Sequence, residues 1–199
     1  VDKSWEVVLL ARHGVTQWNM EGRRQGQLDS PLTVDGIEQV RRAAIAVTSQ
    51  GVDGVFSSPL GRAAATARIF ADYTGAPLVV IRELAEIHHG QFAGMTNEEI
   101  SGRYPGALEE RAQDKYRWRF PGGESYADAD VRAASALAMV AAHPARRPLI
   151  VSHDMIGRLL QRRLLGMDVS DALAGQHPHD VVYVIDYRGQ VPARHELRA

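Results

Sequence analysis

Arg12-His13-Gly14 sets an imidazole beside a guanidinium directly after the apolar run Glu6-Val7-Val8-Leu9-Leu10. A neutral histidine nitrogen can attack phosphorus, and a planar guanidinium binds phosphoryl oxygens through paired, charge-assisted hydrogen bonds. Groups of the same character recur at Ser57-Ser58, leading to Arg62, and at Ser152-His153. Delivered to one sheet edge, Arg12, His13, Arg62 and His153 would form a compact cationic pocket. The second histidine, if protonated, would donate to an equatorial oxygen of the transition state. Phosphoryl transfer asks for little beyond positioning and charge stabilisation, so this set suffices without a metal or an organic cofactor. An alkoxide leaving group still needs a proton. Glu86, in Leu84-Ala85-Glu86-Ile87, is the carboxylate best placed to give it and then to take a proton from the attacking water.

The elements that must hold these residues follow from pattern. Glu6 to Leu10 suits a buried strand. Thr33 is a plausible N-cap for a helix running to about Gln50, with Asp35 in its first turn and Gly51 closing it. Val52 to Ser57 reads as a second strand, an Ala-rich helix follows from Ser58-Pro59 to about Tyr73, and Leu78 to Ile81 is a third strand. Residues 95 to 120 read as helical but polar, broken at Gly102 and at Pro105-Gly106, and lie over one end of the sheet. Ser125 opens another helix ending near His143-Pro144, Leu149 to Val151 is a fourth strand, and Met155 to Leu165 a helix behind it. Val181 to Tyr187 and Val191 to Leu197 flank Arg188-Gly189 as a terminal hairpin. Alternating strands and helices imply an α/β layered domain with a mainly parallel sheet, whose reactive groups gather beyond the carboxyl ends of the strands.

Composition narrows the function class. A length of 199 residues fits one domain spanning 1–199, and a hydrophobic fraction of 45% with 24% charged residues matches an ordinary globular protein. The net charge of −1 supplies no global field for nucleic acid or anionic membrane. The absence of cysteine excludes a disulfide framework, a thiolate nucleophile and any Cys-ligated metal. No apolar stretch approaches the ~20 residues of a membrane span, and no signal-peptide pattern is visible, so a cytoplasmic enzyme is expected. His88-His89, His177-x-His179 and His153-Asp154 are residue types that bind zinc or iron, but they share no metal-ligand spacing. No metal is expected; His88-His89 is expected at the pocket mouth beside Glu86.

Arg12-His13-Gly14-Val15-Thr16-Gln17-Trp18-Asn19 resembles the opening motif of the histidine phosphatase superfamily, which includes the cofactor-dependent phosphoglycerate mutases. Gln25-Gly26, Asp29, Pro31-Leu32-Thr33 and Gly36 continue the pattern. Ser57-Ser58-Pro59-Leu60-Gly61-Arg62-Ala63, Leu84-Ala85-Glu86 with Gly90 and Gly94, and Val151-Ser152-His153 resemble its later blocks, in family order. The resemblance implies a phosphoglycerate mutase-like, three-layer α/β/α sandwich with a mainly parallel sheet and an antiparallel edge. It also implies that His13 becomes a phosphohistidine while Arg12, Arg62 and His153 hold the phosphoryl group, assisted by Asn19 and the backbone near Gly26. No cofactor is implied for a phosphatase of this kind.

Met95 to Ile100, Tyr104-Pro105 and Arg111 to Tyr126 resemble the bisphosphatase domain of 6-phosphofructo-2-kinase/fructose-2,6-bisphosphatase. In that family the counterparts of Arg111, Lys115 and Tyr126 hold the sugar phosphate. Asn97 stands where those enzymes have a sugar-contacting tyrosine, and Asp154 where the superfamily usually has glycine and the bisphosphatases glutamine. Asp154 could pair with Arg158, cap its helix, or accept a hydrogen bond from a substrate hydroxyl. Trp118 and Phe120 read as packing residues. The expected activity is hydrolysis of a small phosphorylated molecule, with sugar phosphates and bisphosphates among the candidates; assembly as a homodimer is left open. A phosphoglycerate mutase is the first alternative, disfavoured because the chain lacks room for a long active-site insertion. A non-catalytic phosphate-binding module is the second, disfavoured because His13, Arg12, Arg62, Glu86 and His153 are all present.

Overall fold

The structure, a computed structural model, describes residues 5–198. Its strands are β1 (Val7–Arg12), β2 (Gly54–Ser57), β3 (Leu78–Val80), β4 (Pro148–Ser152), β5 (Val181–Asp186) and β6 (Ala193–Arg198). They form one sheet in the order β3-β2-β4-β1-β5-β6. The first four positions run parallel, and β5 and β6 form the antiparallel edge. The helices are α1 (Gln17–Met20), α2 (Val34–Val47), α3 (Gly61–Thr74), α4 (Asn97–Arg103), α5 (Ala107–Gln113), α6 (Tyr126–Ala141), α7 (Asp154–Leu165) and α8 (Val169–Ala174).

Alternation along the strands divides the core into two layers. Val8 and Leu10 of β1, Phe56 of β2 and Ile150 of β4 face one way, packing with Ala129, Ala133 and Leu137 of α6 and Ile156, Leu159 and Leu160 of α7. Val7, Leu9, Ala11, Val55, Leu149 and Val151 face the other way, against Val40, Ala44 and Val47 of α2 and Ala63, Ala67 and Phe70 of α3. Helices on both faces make the expected α/β/α sandwich. Full burial of one such aliphatic side chain stabilises by about 1.5–3 kcal/mol relative to exposure, which concentrates stability at the centre of the sheet.

Register then positions the chemistry. Arg12 pairs with Ser152 across β1 and β4, and Ser57 with Val151 across β2 and β4. The three strands therefore end nearly level, so that His13, Ser58 and His153 emerge at one edge.

Several element ends differ from the sequence pattern. β2 starts at Gly54 rather than Val52, because the Asp53 carboxylate accepts the backbone N–H groups of Arg146 and Arg147 at 2.8 and 2.9 Å. α3 starts at Gly61 rather than Ser58-Pro59, since Leu60 is extended and its N–H donates to Ser58 Oγ at 3.2 Å. Gly102 breaks nothing and lies inside α4; the break falls at the Pro105-Gly106 step, where Gly106 is left-handed (φ 81°). α1 and α8 were not anticipated. Thr33 and Ser125 do cap α2 and α6, their hydroxyls accepting the N–H groups of Gly36 and Asp128 at 2.9 and 3.2 Å. Among the described residues, no helix is long and apolar enough to cross a membrane.

Candidate active site

His13 follows the last residue of β1, and its N–H donates to the Ser152 carbonyl at 3.0 Å, extending the pairing with β4 by one residue. The imidazole is buried, with 3% of the residue exposed. Its Nδ1 lies 2.8 Å from the Gly14 carbonyl oxygen. A carbonyl only accepts, so Nδ1 carries the proton. Burial, reinforced by the guanidinium charges of Arg62 and Arg12 and by the neighbouring His153, holds the His13 pKa well below its ordinary value. The ring is neutral, with its lone pair on Nε2.

Arg12 donates through Nη1 to the His177 carbonyl at 3.2 Å and stands 3.8 Å from Asp154 Oδ1. Arg62, on the first turn of α3, donates through Nη1 to Leu28 O at 2.7 Å and Asp29 Oδ1 at 3.0 Å, and through Nη2 to Gly26 O at 2.7 Å. Burial lowers the pKa of both arginines, yet a guanidinium stays protonated in a protein. The Nε of each is buried without a partner among the described residues. Gly26 is left-handed (φ 55°), and a Cβ there would stand 3.1 Å from His89 and from the Ile87 carbonyl; glycine lets this turn lie beneath the cavity.

His153 takes the N-cap position of α7, its ring centroid 5.2 Å from that of His13. Its Nε2 is 2.8 Å from Ser58 Oγ, and that oxygen already accepts the Leu60 N–H. The Ser58 oxygen has a second lone pair and a hydroxyl proton, so it can pair with Nε2 as acceptor or as donor. The His153 Nδ1 is buried without a partner among the described residues. Burial, then Arg62 and Arg12, hold the His153 pKa well below its ordinary value.

Glu86 follows a single 3₁₀ turn at Arg82–Leu84. Its Oε1 accepts the N–H groups of Ile87 at 2.9 Å and Ile156 at 3.2 Å, and its Oε2 that of Met155 at 3.2 Å. Burial raises its pKa despite the opposing Ile87 N–H, and the charge of Asp154 adds to the rise.

Arg12, His13, Arg62 and Glu86 line one cavity of about 220 Å³ together with Asn19, Gly26, Tyr126 and Asp154 of the expected set. The Asn19 Oδ1 accepts from the Thr16 N–H and hydroxyl at 3.0 and 2.9 Å, leaving its amide nitrogen without a protein partner among the described residues. His153 stands behind His13, fully buried and off the lining. Arg111 and Lys115 are also off the lining: Arg111 Nη2 donates to the Tyr126 hydroxyl at 2.5 Å, and Lys115 Nζ lies 6.0 Å from the Tyr126 ring centroid. Asp154 meets Arg158 through two hydrogen bonds of 3.0 and 2.8 Å, the first of its three readings. Although burial pushes its pKa up, Arg12 and Arg158 outweigh this and lower it. His89 lines the cavity as expected, whereas His88 lines a separate shallow hollow with Gln27 and Glu124.

Sequence reasoning missed Arg23, Arg24, Gln25 and Met155 on this lining. It also missed His179, whose Nδ1 lies 2.6 Å from the His13 carbonyl oxygen and whose ring meets that of His13 edge-on. Among the described residues, no cluster of three or more His, Asp or Glu could hold a metal ion.

Residues 8–198 match the profile of the histidine phosphatase superfamily (branch 1). The chain belongs to this superfamily. A relative from Enterobacter sp. (strain 638), named "Probable phosphoglycerate mutase GpmB", is 37% identical over 161 residues, covering 80% of this chain and 75% of the relative. The solved α-ribazole phosphatase from Shigella flexneri superposes with a TM-score of 0.87 at 26% identity, covering 97% of this chain and 96% of its own. A mycobacterial glucosyl-3-phosphoglycerate phosphatase, solved with VO3, gives 0.82 at 28% identity, covering 96% and 97% of the two chains. The superfamily and its solved phosphatases make this histidine phosphatase a phosphoric monoester hydrolase.

Proposed function

We propose that this enzyme hydrolyses a small phosphomonoester with a polar, sugar-like or acidic leaving group, in two steps through a phosphohistidine on His13. The observation that carries the reading is the Nδ1 hydrogen bond to the Gly14 carbonyl, which leaves a neutral His13 with a nucleophilic Nε2 in a cavity walled by Arg12 and Arg62. Nε2 attacks phosphorus, and the P–O bond to the leaving group breaks as the Glu86 carboxyl gives its proton to the departing oxygen. Water then attacks the phosphohistidine, Glu86 takes a proton from it, and the P–N bond breaks to release phosphate. Arg12 and Arg62 hold the equatorial oxygens throughout, with the Asn19 amide as a further donor and His153 backing His13 from behind the cavity wall.

On the leaving-group side, Arg111, Lys115 and Tyr126 form a basic wall, and Arg111 and Lys115 have no carboxylate partner among the described residues. Such a wall suits a second anionic group. Relatives named for α-ribazole and for glucosyl-3-phosphoglycerate also favour a sugar-bearing leaving group.

Acid-quenched enzyme incubated with a 32P-labelled substrate should carry label on His13, and His13→Ala should carry none. A phosphate-release screen over sugar mono- and bisphosphates, phosphoglycerates, nucleotides and phosphoamino acids identifies the substrate. Phosphate binding with no turnover across that panel would reduce the protein to a binding module. The relative named as a mutase favours a second reading, in which the phosphoryl group is retained. A coupled assay for interconversion of 2- and 3-phosphoglycerate decides between the two.

A further inference from the structure

Arg24 is a cation of the cavity that the motif blocks leave out. It lies on the turn between α1 and Gly26, where its N–H donates to the Met95 carbonyl at 3.0 Å and its carbonyl accepts the Gly94 N–H at 2.7 Å. Its guanidinium places both Nε and Nη2 on one neutral acceptor, Asn97 Oδ1, at 3.1 and 2.8 Å. An amide oxygen orients a guanidinium without neutralising it.

No carboxylate pairs with Arg24 among the described residues. Of the two carboxyls on the lining, Glu86 is bonded to backbone N–H groups and Asp154 to Arg158. Arg111 stands nearby in the same condition, bonded to a neutral hydroxyl and with its Nε buried and unpartnered. The proximity is felt by both cations beside Arg111: burial and then Arg111 lower the pKa of Arg24, and the same two causes lower that of Lys115. Like charges held in a half-buried wall repel one another, and an anion placed among them relieves the repulsion. Arg24 faces the cavity itself, whereas Arg111 and Lys115 stand behind Tyr126.

We propose that Arg24, aimed by Asn97, is a specificity-determining residue that binds a carboxylate or phosphate on the leaving group, so that the enzyme selects phosphomonoesters bearing a second anion. The proposal rests on the phosphatase reading above for the identity of the reacting end. It is this chain's own arrangement, because Asn97 stands where the bisphosphatases that residues 95–126 resemble have a tyrosine.

Dissociation constants measured by calorimetry on the His13→Ala protein, where no phosphoryl group is transferred, test it in two matched pairs. One pair is 3-phosphoglycerate and glycerol 3-phosphate, which differ by a carboxylate in place of a hydroxymethyl group. The other is fructose 1,6-bisphosphate and fructose 6-phosphate. In at least one pair the doubly anionic member should bind about tenfold or more tightly, and which pair it is tells carboxylate from phosphate. Adding Arg24→Gln should bring that ratio to about threefold or less, while Arg24→Lys should keep part of it. Asn97→Asp, isosteric and acceptable in the first turn of α4, hands Arg24 a counterion and should lower the ratio in the same direction. A ratio that Arg24→Gln leaves unchanged, or no preference in either pair before substitution, overturns the proposal. Phosphate release by the unsubstituted enzyme is followed in parallel. Absent turnover with an intact, Arg24-dependent preference would defeat the phosphatase reading and sustain this one.

Discussion

Glu86 accepts the backbone N–H of Ile156 at 3.2 Å, so the carboxyl proposed as proton donor rests on the first turn of the helix that His153 begins. A helix N-terminus favours the carboxylate, burial favours the acid, and burial prevails, since the Glu86 pKa is raised. A positioned general acid contributes about 10²–10⁴-fold. Glu86→Gln should therefore lower kcat/KM by about that factor for sugar and alkyl phosphates, and by far less for p-nitrophenyl phosphate, whose leaving group departs without a proton. A leaving-group series compares the two; equal losses would remove Glu86 from the role.

The same shift sets a pH profile. Only the protonated carboxyl gives a proton, so kcat/KM for an alkyl phosphate should fall as the pH rises through the elevated Glu86 pKa. In Glu86→Gln that limb should be flat. His13 should add no acid-side loss near the ordinary histidine pKa, because it is held neutral well below it. Profiles of both proteins, run with an alkyl and an aryl phosphate, check both statements.

Buried histidines also couple stability to pH. His177 and His179 titrate at about 4 against an ordinary 6.5, chiefly because they are buried. As the pH falls below 6.5 the unfolded chain takes up protons that the folded chain refuses. Stability present above about pH 6.5 is thus lost progressively as the pH approaches about 4, at up to about 1.4 kcal/mol per pH unit for each such group. Urea midpoints at pH 7, 5.5 and 4.5 should fall in that order, and His177→Asn should shallow the fall.

Gly157 lies on the face of α7 against His177. A Cβ there would overlap His177 Nδ1 and stand 2.6 Å from its Cε1, and His177 is only 1% exposed, so it has little room to yield. Gly157→Ala gains helix propensity but should still lose about 1–3 kcal/mol, as overpacked sites do. Thermal denaturation reads this as a lower Tm; an unchanged Tm would mean that the ring can move aside.

Much of this was legible in the sequence wherever a local pattern has a local cause. β1, β2 and β4 are buried on both faces, so β1 and β4 show unbroken apolar runs, β2 a short one after Asp53, and the reactive neighbours fall beyond the strand ends. β6 is exposed along most of its length and carries no such run, which is why its start was misplaced from Ala193 to Val191. α1 buries no residue and so shows no periodicity; its available signal was Thr16 three positions before Asn19, a capping box. Arg24 was missed because its direction is set by pairing with residues about seventy positions away, which no short window contains. The contact of His153 with Ser58 likewise joins two different blocks of the chain.

The level ends of β1, β2 and β4 have a consequence for how the enzyme can change. His13 and His153 directly follow the interior strands β1 and β4, whose amides should be among the slowest in the molecule to exchange with solvent, and Arg62 opens the helix after β2, the third interior strand. Arg24, Asn97, Arg111 and Tyr126 stand instead on a turn and on helix starts and ends, joined by side-chain bonds that a single codon can rewrite. On the roles proposed above, substitutions in this second set would change the substrate while leaving the phosphoryl chemistry intact.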